Sequence, residues 1–105
     1  MESLGIYLGN TFAGVLTQRA PNEYEFTYDA AFCMGDNHPI SPTLPVTPEP
    51  YRSRYLFPFF SNLLPEGGNR RTVCQQLHID ESDSFALLAS FAGSDFIGNI
   101  SVTKL

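Results

Sequence analysis

The sequence predicts an α+β domain, a small and mostly antiparallel sheet with about three helices packed on one face. Two observations near the N-terminus and one in the second half lead there. The stretch "LGIYLGNTFAGVLTQ" sets apolar runs at residues 4–8 and 12–17 on either side of a Gly9-Asn10 turn, the signature of a two-strand hairpin. "YEFTYD" then alternates Tyr24, Phe26 and Tyr28 with Glu25, Thr27 and Asp29, a period of two that leaves one sheet face wet. From Tyr55 onward the apolar residues recur at helical spacing instead.

A chain of 105 residues is one domain, 1–105, large enough for a single core and too short for two. Hydrophobic content of 43% with 13% aromatics suits a packed core and excludes a disordered chain.

After the third strand, residues 30–34 fit either a helix or a strand. The stretch "HPISPTLPVTPEP" holds five of the eight prolines, so the missing N–H groups exclude both a helix and a central strand. It reads as an extended edge segment or ordered loop, or, as a second reading, a linker. Tyr55, Phe59 and Leu63, with Phe60 and Leu64, form a wide stripe on a first helix that Pro65 closes, and Pro58 falls in its first turn. "NRRTVCQQLHI" predicts a second helix over 69–79 with Val73, Leu77 and Cys74 facing inward. In "DESDSFALLASFAG", Ser82 or Asp83 caps a third helix whose buried face is Phe85, Leu88 and Ala89, and Gly93 ends it. Phe96 or Ile97, Ile100 and Val102 then alternate as a closing strand.

The chemistry is mostly excluded by what is missing. A net charge of −5, with one lysine and five arginines, argues against direct nucleic-acid binding, which needs a dense basic surface. The N-terminus has no secretory pattern and no segment has the apolar length of a membrane span, so a cytoplasmic protein without membrane contact is expected. Cys33 and Cys74 stand apart from each other and from the histidines, and read as two buried free thiols. His38 and His78 read as surface or satisfied side chains. No phosphate-cradling motif is present, because Gly5, Gly9 and Gly14 sit in a hairpin and not at a strand-to-helix turn. The acidic "DESD" run is better explained by capping and the helix dipole than by a metal. No catalytic residue, cofactor or metal site is predicted, and the chain is expected not to be an enzyme.

Two blocks in order, "FPFFSNLLPEGGNRR" and "SDSFALLASFAGSDFIGNISV", resemble the N-terminal subdomain of the HipA-type serine/threonine kinase toxins. There a phenylalanine-rich helix ends in an Asn-Leu-Leu-Pro-acidic turn before arginine-bearing helices. A Phe-x-Leu-Leu helix then leads to Gly-x-Asp-x-x-Gly and a strand. The matching residues here are Phe59, Phe60, Asn62, Leu63, Leu64, Pro65, Glu66 and Arg70, then Phe85, Leu87, Leu88, Asp95 and Gly98. The opening hairpin and "ISPTLPV" fall where that subdomain has its first strands, so the similarity covers essentially the whole chain. HipA-type toxins continue into a kinase core that is absent by Leu105, which makes the chain similar to the HipS antitoxins of HipBST systems. The resemblance implies an antitoxin that binds and neutralises a separate HipT kinase, with a HipB-like protein supplying DNA binding through the complex. The alternative it leaves open is an isolated N-terminal subdomain, or remnant, of a full-length HipA-type kinase with no activity of its own.

The abrupt change of character in "LFPFFSNLLPEGGNRR" divides scaffold from surface. Phe59, Phe60, Leu63 and Leu64 read as core. The turn of Glu66, Gly67, Gly68, Asn69 and Arg70 offers a freed backbone and opposite charges on a loop tip, where binding residues concentrate. With Ser94, Asp95 and Phe96 it is the expected partner-binding surface. Asn62 has a further reading, as a buried side chain bonded to the helix end.

Overall fold

The computed structural model describes residues 2–93, 95–96 and 99–105, with Asp95 described by its backbone. In chain order the elements are β1 (Glu2–Leu8), β2 (Thr11–Ala20), β3 (Glu23–Tyr28), α1 (Ala30–Met34), β4 (Tyr51–Ser53), α2 (Pro58–Ser61), α3 (Gly67–Leu77), α4 (Ser84–Ser90), β5 (Asp95–Phe96) and β6 (Ile100–Lys104). The strands form one sheet in the order β4-β3-β2-β1-β6-β5, and every described pairing is antiparallel.

Register aligns the apolar rows. Leu4 faces Leu16, which faces Phe26, while Ile6 lies between Gly14 and Val102. Leu4, Ile6, Leu16, Phe26, Tyr28, Ile100 and Val102 are therefore all buried on one side of the pleat. The helices cover that same side. Phe60 of α2 meets Phe26 with ring centroids 5.6 Å apart, Phe85 of α4 meets Tyr24 at 6.2 Å, and Phe32 of α1 stacks on Tyr28 at 5.4 Å. Burying each such side chain contributes roughly 1.5–3 kcal/mol. At Gly14 β2 and β3 approach too closely for a side chain, since a Cβ there would lie 2.3 Å from the Thr27 carbonyl oxygen. The α+β expectation with helices on one face holds.

Residues 30–34 are a helix, capped by the Asp29 carboxylate accepting from the Ala31 N–H at 3.1 Å. The proline-rich stretch is an ordered loop tied to the sheet: the buried Tyr28 hydroxyl donates to the Leu44 carbonyl and accepts from the Ile40 N–H at 3.1 Å. At its far end Tyr51–Ser53 pairs with β3 as an edge strand that the sequence reading missed.

The helix expected from Tyr55 is the main correction. Only Pro58–Ser61 is helical, and Tyr55 is 78% exposed. A residue before proline is pushed out of the α region, and Phe57 accordingly has φ −56° and ψ 136°. The buried residues are Leu56, Phe57, Phe60 and Leu64, with Phe59 and Leu63 only half-buried against them. Asn62 is exposed, so its buried reading fails. In α3 Cys74 is buried and Val73 half-buried, but Leu77 is 46% exposed at the helix end, where His78 caps with a left-handed φ of 57°. Cys33 is half-buried, its thiol near the Thr47 carbonyl at 3.5 Å. Asp83 caps α4 through the Ala86 N–H at 3.1 Å, and Leu87 joins Phe85 and Leu88 in the core where Ala89 was expected. Ile97 lies outside the described residues, leaving Phe96, Ile100 and Val102 to mark the closing strands.

Candidate partner-binding surface

The predicted turn is the start of a helix. Glu66 precedes α3 in extended conformation, and Gly67 opens the helix with a φ of 59°, a left-handed value that favours glycine. Nothing lies within 4 Å of where a Cβ would sit on Gly67 or Gly68, and Glu66, Gly67, Gly68 and Asn69 are all exposed. Among the described residues the side chains of Glu66 and Asn69 make no hydrogen bond. The turn is thus an open backbone arch with two unengaged polar side chains, on a helix anchored through Cys74.

Arg70 behaves differently. Its guanidinium folds back over the loop before α4, donating from Nε to the Glu81 carbonyl at 3.0 Å and from Nη2 to both that carbonyl and Ser84 Oγ, the latter at 3.0 Å. The residue is half-buried and holds the start of α3 against the start of α4. Arg71 turns outward to an exposed pairing with the Glu81 carboxylate at 3.5 Å. Arg70 is thus engaged within the chain as a clasp, and its planar fork of donors suits it to bridge a carbonyl and a hydroxyl.

Of the second predicted cluster, Ser94 lies outside the described residues, and Asp95 is placed only as the first residue of β5. Phe96 is half-buried and meets Phe91 edge to face at 6.0 Å. β5 is the edge strand at the far end of the sheet from β4. Among the described residues the two clusters share no hydrogen-bond or aromatic partner.

The sequence reading passed over a third surface, at the β4 edge. Arg19, Arg52, Ser53 and Arg54 line an open groove of about 580 Å³ with Tyr24 as an aromatic wall. Glu25 anchors it, accepting from Arg19 at 3.0 Å and lying 3.4 Å from Arg52; the Arg19 hydrogen bond, aided by the charges of both arginines, holds its carboxyl below the ordinary value against the opposing effect of burial. β4 brings these cations together by laying Arg52 opposite Glu25. No local motif in the sequence announces a three-residue strand, so the convergence was not readable there.

Among the described residues no group of three or more His, Cys, Asp and Glu side chains is placed to hold a metal, and no helix is long and apolar enough to cross a membrane. Asp80 and Asp83 are spent locally: Asp80 accepts from the Ser82 N–H at 2.9 Å and hydroxyl at 2.8 Å, which holds its carboxyl below the ordinary value, and Asp83 caps α4.

Residues 4–103 match the family model of the HipA N-terminal domain. A solved structure of the N-terminal domain of HipA toxin superposes with a TM-score of 0.76 at 27% identity, covering 100% of this chain and 93% of that one. A putative kinase, Y4mE of Sinorhizobium fredii (strain NBRC 101917 / NGR234), is 33% identical over 91 residues, 86% of this chain, yet the match spans only 22% of that protein. An uncharacterized protein of Haemophilus influenzae (strain ATCC 51907 / DSM 11121 / KW20 / Rd) is 29% identical over 99 residues, 94% of this chain and 89% of its own length.

Proposed function

Because the chain belongs to the HipA N-terminal domain family, we propose that it acts as an antitoxin of the HipS kind, binding a separate HipA-like serine/threonine kinase of the HipT kind and neutralising it. One observation carries this reading. The same domain makes up about a fifth of a putative kinase and nearly nine-tenths of a protein close to this one in length. A domain that packs against a kinase core when fused to it keeps that complementary face when it is a separate chain, and so can dock on a kinase encoded apart. The matched residues, 4–103, are those of the HipA N-terminal domain. The acidic net charge of −5 fits a protein that reaches DNA only through a HipB-like partner in the complex, in the cytoplasm.

A second reading, an isolated N-terminal subdomain of a full-length kinase with no activity of its own, draws on the 22% coverage of the putative kinase. Co-expression with a HipA-like kinase of the HipT kind separates the two. Restored growth where the kinase alone arrests it supports the antitoxin; undiminished arrest, with both proteins soluble, refutes it.

A further inference from the structure

We propose that Arg54 and Tyr55, with Arg52 beside them, form the docking point for an acidic segment of the partner kinase, a carboxylate side chain flanked by an apolar one. This rests on the antitoxin reading and names the surface that serves it.

Tyr55 is 78% exposed, whereas every other described aromatic is buried or half-buried. It is not loosely held. Its backbone N–H donates to Ser53 Oγ at 3.1 Å, and the next two residues, Leu56 and Phe57, are buried. The ring is thus presented from a fixed backbone between an edge strand and the core, which lowers the ordering cost of binding. Tyrosine and arginine are the residue types that most often carry interface energy.

The charges beside it are distributed unevenly. Of six cationic side chains in a chain of net charge −5, three line one groove. Arg19 and Arg52 share Glu25, and Glu23 also lies on the groove. Arg54, exposed, has neither an ion pair nor a side-chain hydrogen bond among the described residues. Its five N–H donors are open to a bidentate carboxylate. Three acids line the wider groove with Arg54, namely Glu2, Asp80 and Asp83; Asp80 accepts from Ser82, Asp83 caps α4, and none of the three pairs with Arg54 among the described residues. Arg54 and Tyr55 both line that groove with side chains unengaged within the chain, and together they match a carboxylate beside an apolar side chain.

The test titrates the partner kinase onto the immobilised full chain and onto Arg54→Glu, Tyr55→Ala and Glu66→Ala, with thermal melts alongside. Neither Arg54 nor Tyr55 has a side-chain bond to lose, so both variants should melt with the wild type. Each is expected to weaken capture about 30-fold or more, the mark of an interface anchor. Added salt should weaken the wild type more than Arg54→Glu. Capture by both variants within about twofold of the wild type overturns the assignment while leaving the antitoxin reading intact, and loss confined to Glu66→Ala would move the interface to the α3 arch. Failure of the wild-type chain to bind the kinase at all overturns the antitoxin reading and this inference with it.

Discussion

Replacing Tyr28 by Phe removes one oxygen from a site where everything else can stay in place. The ring is 3% exposed, edge to face on Phe26 at 4.9 Å and stacked on Phe32 at 5.4 Å, and a Phe ring keeps both contacts. What is lost is the double bond to the proline-rich loop, in which the hydroxyl donates to the Leu44 carbonyl and accepts from the Ile40 N–H. Both of those residues are buried, so the substitution strands one acceptor and one donor. An unsatisfied buried group costs about 1–3 kcal/mol. With partial rehydration at the loop the sum comes to about 3 kcal/mol, a large share of the 5–15 kcal/mol typical of a small domain. For a chain of this size that is a drop in Tm of roughly 10–20 °C. Urea denaturation gives the free energy, and limited proteolysis shows whether residues 38–50 open first. A loss below about 0.5 kcal/mol would refute the claim that this hydroxyl fastens the loop, since that is the range of an ordinary surface change.

The same hydroxyl predicts an alkaline limit. Burial raises the Tyr28 pKa, so the folded state holds the proton more tightly than the unfolded chain; stability present below about pH 10 should be lost as pH rises through the folded pKa, and Tyr28→Phe should lessen that fall in a pH series of melts. Arg70→Ala should cost about 1–2 kcal/mol by releasing Glu81 and Ser84, while Arg71→Ala, whose pairing is exposed, should stay within about 0.5 kcal/mol; equal melts for the two would disprove the clasp.

Short-range signals carried the sheet. The hairpin around Gly9-Asn10 and the alternation of Tyr24, Phe26 and Tyr28 are local; they located strands over 4–8 and 12–17, which run on to 2–8 and 11–20, and gave the buried face of β3. The failure at Tyr55 was also local: Pro58 bars its predecessor from the helix, and a stripe counted by spacing alone carried Tyr55 into the core across that barrier. β4 was illegible for the opposite reason, since three residues gain their strand character only from β3, across the whole proline-rich loop. At the candidate surface, the exposure of Glu66 through Asn69 followed from the glycines and the polar run. The inward turn of Arg70 depends on a carbonyl eleven residues away, and no local spacing encodes it.

The sheet order has a consequence for how the chain comes together. β1 is a central strand whose two neighbours are the second strand of the chain and the last, with Leu4 opposite Lys104. The β1–β2–β3 meander closes through short turns, but the other flank of β1 waits for residues about a hundred positions away, the slow kind of contact. During synthesis β1 therefore emerges well before the β6 strand that completes it. Until residues 100–104 leave the ribosome, its outer row of N–H and C=O groups is an open edge, inviting pairing with a neighbouring chain.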